Sequence, residues 1–209
     1  MSVSADVEIA GSASWDGISE ETLAAALARP ATLCVQAGLP VPGDADVVLD
    51  GAAADRLDLL ITTRAAYRHS VVRIFVQAIR SRIELSEDLR IRVCSAVQEA
   101  LMNAVLHGNL QIDGRMRGSL DGLVAAQTVI EDRLNSRDVG CAPIRLTASW
   151  TDAALQVTVR DSGRGYDYSN VRPAAEDGAS GRGLEILQVF SDAVTVLDRG
   201  TAVRLEFLR

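Results

Sequence analysis

The sequence predicts an α+β sandwich: one antiparallel or mixed sheet with helices on one face, preceded by a small N-terminal α/β extension. Three observations predict it. From residue 57 the element order is strand, helix, helix, inserted helix, two strands, loop, helix, two strands. Apolar residues recur at helical spacing between Leu89 and Ala104, and at strand spacing in Leu155, Val157, Val159 and again in Val203, Leu205, Phe207. With 48% hydrophobic and 23% charged residues over 209 positions, the chain has enough apolar surface for one sizeable core or two small ones.

Taken in order, the first 56 residues read as short strands around one helix. The strands are Val7 to Ile9, Thr32 to Gln36 and Val47 to Leu49; the helix runs from about Ser19 to Ala28 and stops at Pro30. No chemistry is visible there. Leu57 to Thr62 reads as a strand and leads into a helix from about Ala65 to Arg82. Ser86 is placed to cap the next helix, with Glu87 and Asp88 complementing its dipole and Gly108 placed to close it in a left-handed conformation. Residues 110 to 143 read as an insertion holding one helix near Leu120 to Leu134. Ile144 to Trp150 and Leu155 to Asp161 form a hairpin around Thr151-Asp152. A glycine-punctuated loop from Ser162 to Arg182 precedes a short helix, Leu184 to Phe190. Ala193 to Leu197 and Thr201 to Leu208 close the chain as strands, the alternation placing Thr201 inward.

Composition excludes several chemistries. All 21 basic residues are arginine, so a Walker A lysine, a Schiff base and the usual protein-kinase lysine are absent. Cys34, Cys94 and Cys141 form no C-x-x-C pair and His69 and His107 are the only histidines, which leaves neither a zinc site nor a disulfide framework. A net charge of −7 argues against nucleic-acid binding. Residues 1–62 carry 10 acidic residues and 2 arginines, whereas 63–209 carry 18 and 19, so the near-neutral remainder suits an anionic ligand. No apolar run approaches a membrane span, and the N-terminus lacks a secretory pattern, so a cytoplasmic protein is expected.

Glu99, Asn103 and His107 stand at i, i+4 and i+8, about 40° apart in successive steps around a helix. Such a triplet also fits a solvated face, but the apolar neighbours Ala100, Met102, Ala104 and Val105 make an idle Glu99 and Asn103 costly. Asp161 ends a strand and opens Asp161-Ser-Gly163-Arg-Gly165, where glycines admit close backbone approach and the carboxylate offers acceptors to an exocyclic amine; an ordinary turn is the alternative. Gly178-Ala-Ser-Gly181-Arg182-Gly183-Leu184 precedes a helix, a setting for phosphate or for a plain linker. His69 reads as an ordinary helix histidine.

Together Glu99-x-x-x-Asn103-x-x-x-His107, Asp161-x-Gly163-x-Gly165, Gly181-x-Gly183-Leu184 and Gly200-Thr201 resemble, in order, the N box, two glycine boxes and terminal Gly-Thr of the Bergerat-fold ATPases. The resemblance covers about residues 57–209, leaving 1–56 as an acidic extension. Within that superfamily, Glu99 to Gly108, the run Ser180 to Leu184 and the 15 residues between Gly165 and Gly181 are similar to bacterial anti-sigma-factor serine kinases. The resemblance implies ATP and Mg²⁺ as cofactors, with Asn103 holding the metal and Glu99 acting as general base. It implies adenine recognition by Asp161 supported by Thr201. Gly163, Gly165, Gly181 and Gly183 would permit the lid to close around the nucleotide, with Leu184 among the cofactor-binding residues and His107 and either Arg182 or Arg164 near phosphate. It implies phosphorylation of a small antagonist protein on Ser or Thr, binding of a sigma factor or similar regulator, and a homodimer. A two-component ATP-binding domain and a non-catalytic ATP-gated module are the alternatives.

Overall fold

The computed structural model describes residues 11–39, 55–112, 120–165 and 182–209. The strands expected at Val7 to Ile9 and Val47 to Leu49 lie outside them. The described chain forms β1 (Ser12–Trp15), α1 (Glu20–Ala26), β2 (Leu33–Gln36), β3 (Arg56–Thr62), α2 (Thr63–Arg68), α3 (Val71–Arg80) and α4 (Glu87–Asn103). After α4 come α5 (Leu120–Asn135), α6 (Arg137–Gly140), β4 (Pro143–Trp150), β5 (Ala154–Arg160), α7 (Arg182–Phe190), β6 (Ala193–Leu197) and β7 (Ala202–Leu208).

The strands make one sheet in the order β1-β2-β3-β4-β5-β7-β6. It is mixed: β1, β2 and β3 are parallel, and every later pairing is antiparallel. Register sorts the side chains by face. One row across the sheet is Cys34, Leu59, Leu146, Val159, Val203 and Val196, which faces the helices. The adjacent row, Leu33, Asp58, Thr147, Thr158, Arg204 and Thr195, faces away from them. On that outer face Asp58 is buried, and its carboxylate is held by Arg56 at 2.6 Å, Arg145 at 2.8 Å and the Thr147 hydroxyl at 2.6 Å. Two guanidinium groups and a hydroxyl thus satisfy the oxygens of this buried carboxylate.

The helix layer follows from caps and apolar stripes. Ser86 accepts the Leu89 N–H at 3.2 Å and starts α4, which buries Leu89, Val93, Ala96, Val97, Ala100 and Leu101. Each such Leu or Val contributes about 1.5–3 kcal/mol of burial. The single helix expected from Ala65 to Arg82 is two. His69 takes extended backbone (φ −116°, ψ 156°), and α3 begins after Ser70. The cause is tertiary: Glu20 of α1 accepts the Ser70 N–H at 2.7 Å and pairs with Arg73 at 2.7 Å. The Ser70 bonds, then Arg73, hold the Glu20 carboxyl below the usual carboxylate range. His69 is therefore a residue at a helix junction rather than an ordinary helix histidine, and its ring packs edge-on against Trp15 with centroids 5.4 Å apart.

The inserted helix joins the core through Ala126, Ile130 and Leu134. None of the helices among the described residues is long and apolar enough to cross a membrane.

Candidate functional site

The site grows from the end of α4. At Ala104 the α-helix widens into a π turn that continues to Asn109, closed by the Leu110 N–H donating to the Val105 carbonyl at 2.8 Å. Gly108 lies inside this turn and does not adopt a left-handed conformation, so it is not the helix-closing glycine that its position suggested. The wide turn is held by Asn109, a buried residue that sequence reading missed. Its Nδ2 donates to Thr63 Oγ1 at 2.7 Å and to the Pro143 carbonyl at 3.3 Å, and its Oδ1 accepts the Ser162 N–H at 2.8 Å. One amide thus joins α2, the start of β4 and the loop after β5. The signal available beforehand was a polar residue embedded among Val105, Leu106, Leu110 and Ile112.

Asp161 follows β5 directly. Its N–H donates to the Thr201 carbonyl at 2.9 Å, adding one rung to the β5–β7 ladder, and its Oδ1 accepts the Gly163 N–H at 2.8 Å. Burial pushes the carboxyl up to about 6, against the opposing effects of the Gly163 N–H and Arg160. The carboxylate lies against the π turn: a β-carbon at Gly108 would stand 2.5 Å from Asp161 Cγ. A β-carbon at Gly163 would collide with the Gly108 carbonyl, and one at Gly165 (φ +78°) with the Arg199 carbonyl. These glycines are therefore required by close backbone approach, and at Gly165 also by positive φ.

Thr201 is half-buried and precedes β7, with helical backbone (φ −89°, ψ −3°) rather than a place on the inward face of the strand. Its hydroxyl donates to the Asp198 carbonyl at 3.0 Å. The tight turn Asp198-Arg199-Gly200, all at positive φ, displaces it from the strand.

Glu99 and Asn103 are both half-buried on α4, and among the described residues neither side chain has a hydrogen-bond partner. His107 is exposed, and its Nδ1 lies 3.0 Å from the Ile112 carbonyl. Because it sits in the π turn, its angular relation to Asn103 is no longer that of a regular helix. Arg164 is exposed. Gly181 lies outside the described residues; Arg182, Gly183 and Leu184 open α7, with side chains outside the description. The structure thus brings together Gly108, Asp161, Gly163, Gly165 and Thr201, with Glu99 and Asn103 on the helix that leads into them.

A family model of the histidine kinase-like ATPase domain matches residues 61–207. The chain belongs to that family. No curated protein matches it. The matched span runs from the end of β3 to the end of β7, so it contains the π turn, the Asp161 loop and α7. The family supports an ATP-binding regulatory role for this ATPase domain, while β1, α1 and β2 precede the match.

Proposed function

We propose that the chain is an ATP-dependent protein serine/threonine kinase of the anti-sigma-factor type, which phosphorylates a small antagonist protein and binds a sigma factor or similar regulator. The observation that supports it most is the Asp161 carboxylate, set against Gly108 and anchored by Gly163, with oxygen donors of α4 left unengaged. In this reading Oδ2 of Asp161 accepts the adenine amino group, since Oδ1 is committed to the Gly163 N–H. Gly163 and Gly165 let the main chain lie against the nucleotide.

The donor set fits magnesium. The Asn103 amide oxygen is a hard ligand on a half-buried helix position without a competing partner among the described residues, and nucleotide phosphates would complete the shell. Magnesium bound there would neutralise phosphate charge during transfer. Glu99, one turn earlier, accepts the proton of the attacking Ser or Thr hydroxyl as its oxygen bonds to the γ-phosphorus and the bond to ADP breaks. The 15-residue spacing between Gly165 and Gly181 supports a short lid of the serine-kinase kind.

The test is the acid stability of the transferred label. The purified protein is incubated with γ-labelled ATP and a cytosolic extract, and the labelled product is treated with acid. An acid-stable phosphoprotein is expected; an acid-labile label means histidine chemistry, and no label means an ATP-gated binding module.

A further inference from the structure

The parallel strands β1, β2 and β3 end at Trp15, Gln36 and Thr62, and a cleft of about 510 Å³ opens at their carboxyl ends. Open sheets with parallel strands place ligand crevices at this edge. The volume lies within the range of small-molecule sites. The lining comes partly from residues that precede the ATPase match: Gly17, Gln36 and Gly38 on one side, Arg64, Arg68, His69 and Cys141 on the other. Among the described residues the lining contains no Asp or Glu.

The cations there are incompletely neutralised. Arg64 is half-buried, with Nε donating to the Leu134 carbonyl at 2.7 Å and Nη2 to the Ser136 carbonyl at 3.4 Å. Both partners are neutral, and among the described residues no carboxylate pairs with it. Gly140 makes that geometry possible, because a β-carbon there would collide with the Leu134 carbonyl. Exposed Arg68 pairs with Glu131 at 3.2 Å and donates to Asn135 Oδ1 at 3.4 Å, surface contacts of a kind that contribute little. Gln36 commits Oε1 to the Thr62 N–H at 2.8 Å, and its Nε2 has no acceptor among the described residues.

We infer that this cleft is a second ligand site, separate from the Asp161 site, for a small organic anion bearing a phosphate or carboxylate group. An oxyanion supplies the counter-charge that Arg64 lacks, and a guanidinium fork binds either group in a bidentate manner. Gln36 Nε2 adds a neutral donor.

Exposed Cys141 in the lining gives the readout, with half-buried Cys94 as internal control. The full chain is alkylated with iodoacetamide in sodium phosphate, in sodium citrate and in sodium chloride at equal ionic strength. Affinities for phosphate and citrate are measured by calorimetry. Either anion is expected to bind saturably and to slow alkylation of Cys141 but not of Cys94. Phosphate alone assigns the site to phosphate esters, and citrate alone to carboxylates. Arg64→Gln should weaken binding about tenfold or more, and the exposed Arg68→Gln, which spares the Leu134 contact, severalfold. Asp161→Asn should leave anion binding unchanged, which separates this site from the proposed ATP reading. Equal Cys141 rates in all three salts, protection that survives the Arg64→Gln/Arg68→Gln pair, or protection lost in Asp161→Asn would each overturn the inference.

Discussion

The Asp161 carboxylate occupies the space in which a Gly108 side chain would begin, 2.5 Å from the position of its β-carbon. An alanine in a helical segment ordinarily stabilises by about 0.5–1 kcal/mol over glycine. Here the collision reverses the sign. Gly108→Ala is expected to destabilise by about 1–3 kcal/mol and to weaken ATP binding by displacing Asp161. Thermal melts and calorimetry check both, and a stabilised variant with unchanged affinity would refute the packing argument.

The raised pKa of Asp161 makes a pH prediction. The folded carboxyl titrates at about 6 against an ordinary 3.8, so between those values the folded state holds more proton than the unfolded one. This contribution to stability is present below about pH 4 and lost as pH rises through 6. Asn carries no charge at any pH and does not suffer that loss, so the variant should be more stable than wild type at pH 8 by roughly 1–2 kcal/mol, allowing for solvent screening, and melt about 2–8 °C higher. Near pH 3.5 the difference should vanish. ATP affinity should move the other way, falling in the variant at pH 8 and in wild type below pH 6.

Glu99 and Asn103 hold no described partner, so their removal should cost little stability, within about 0.5 kcal/mol. Under the kinase reading, Glu99→Ala lowers turnover about 10²–10⁴-fold with ATP affinity preserved. Asn103→Ala instead weakens magnesium-dependent ATP binding. Steady-state rates beside calorimetry separate the two. Wild-type turnover in Glu99→Ala would remove the base assignment.

Asn109 should behave in the opposite way. Asn109→Ala leaves the Ser162 N–H without its acceptor and takes from the buried Thr63 hydroxyl the donor it accepts from, while that hydroxyl keeps its bond to the Ala142 carbonyl, at a cost of about 1–3 kcal/mol in chemical denaturation. ATP affinity should fall as well, because the Asp161 loop loses its tether to the π turn. A loss of stability with ATP affinity unchanged would confine Asn109 to packing.

Where local pattern governs, the sequence was a good guide. The alternation Leu155, Val157, Val159 gave a strand whose buried face is those three residues, and Ser86 caps the helix it was expected to cap. Misreadings arose where a distant residue decides. The break at His69 depends on Glu20, which is 50 positions from Ser70 and belongs to another helix. The π turn depends on Thr63, Pro143 and Ser162 converging on Asn109, which no window around residue 109 contains. Thr201 obeys the strand period yet leaves the strand, because positive φ at Asp198, Arg199 and Gly200 sets the turn before it. The glycines at 108 and 163 are explained by what each touches, and that contact exists only in the folded chain.

The pairing of β3 with β4 joins Thr62 to Pro143 across the middle of the sheet. During synthesis at about 5–20 residues per second, the strand Arg56–Thr62 is made roughly 4–16 s before its neighbour exists. Through that interval β1, α1, β2 and β3 can associate as a parallel unit by nearby contacts, but the far edge of β3 presents unpaired main-chain groups. The hydrophobic row through Leu57, Leu59 and Ile61 makes that edge the segment of the nascent chain most in need of protection from other strands.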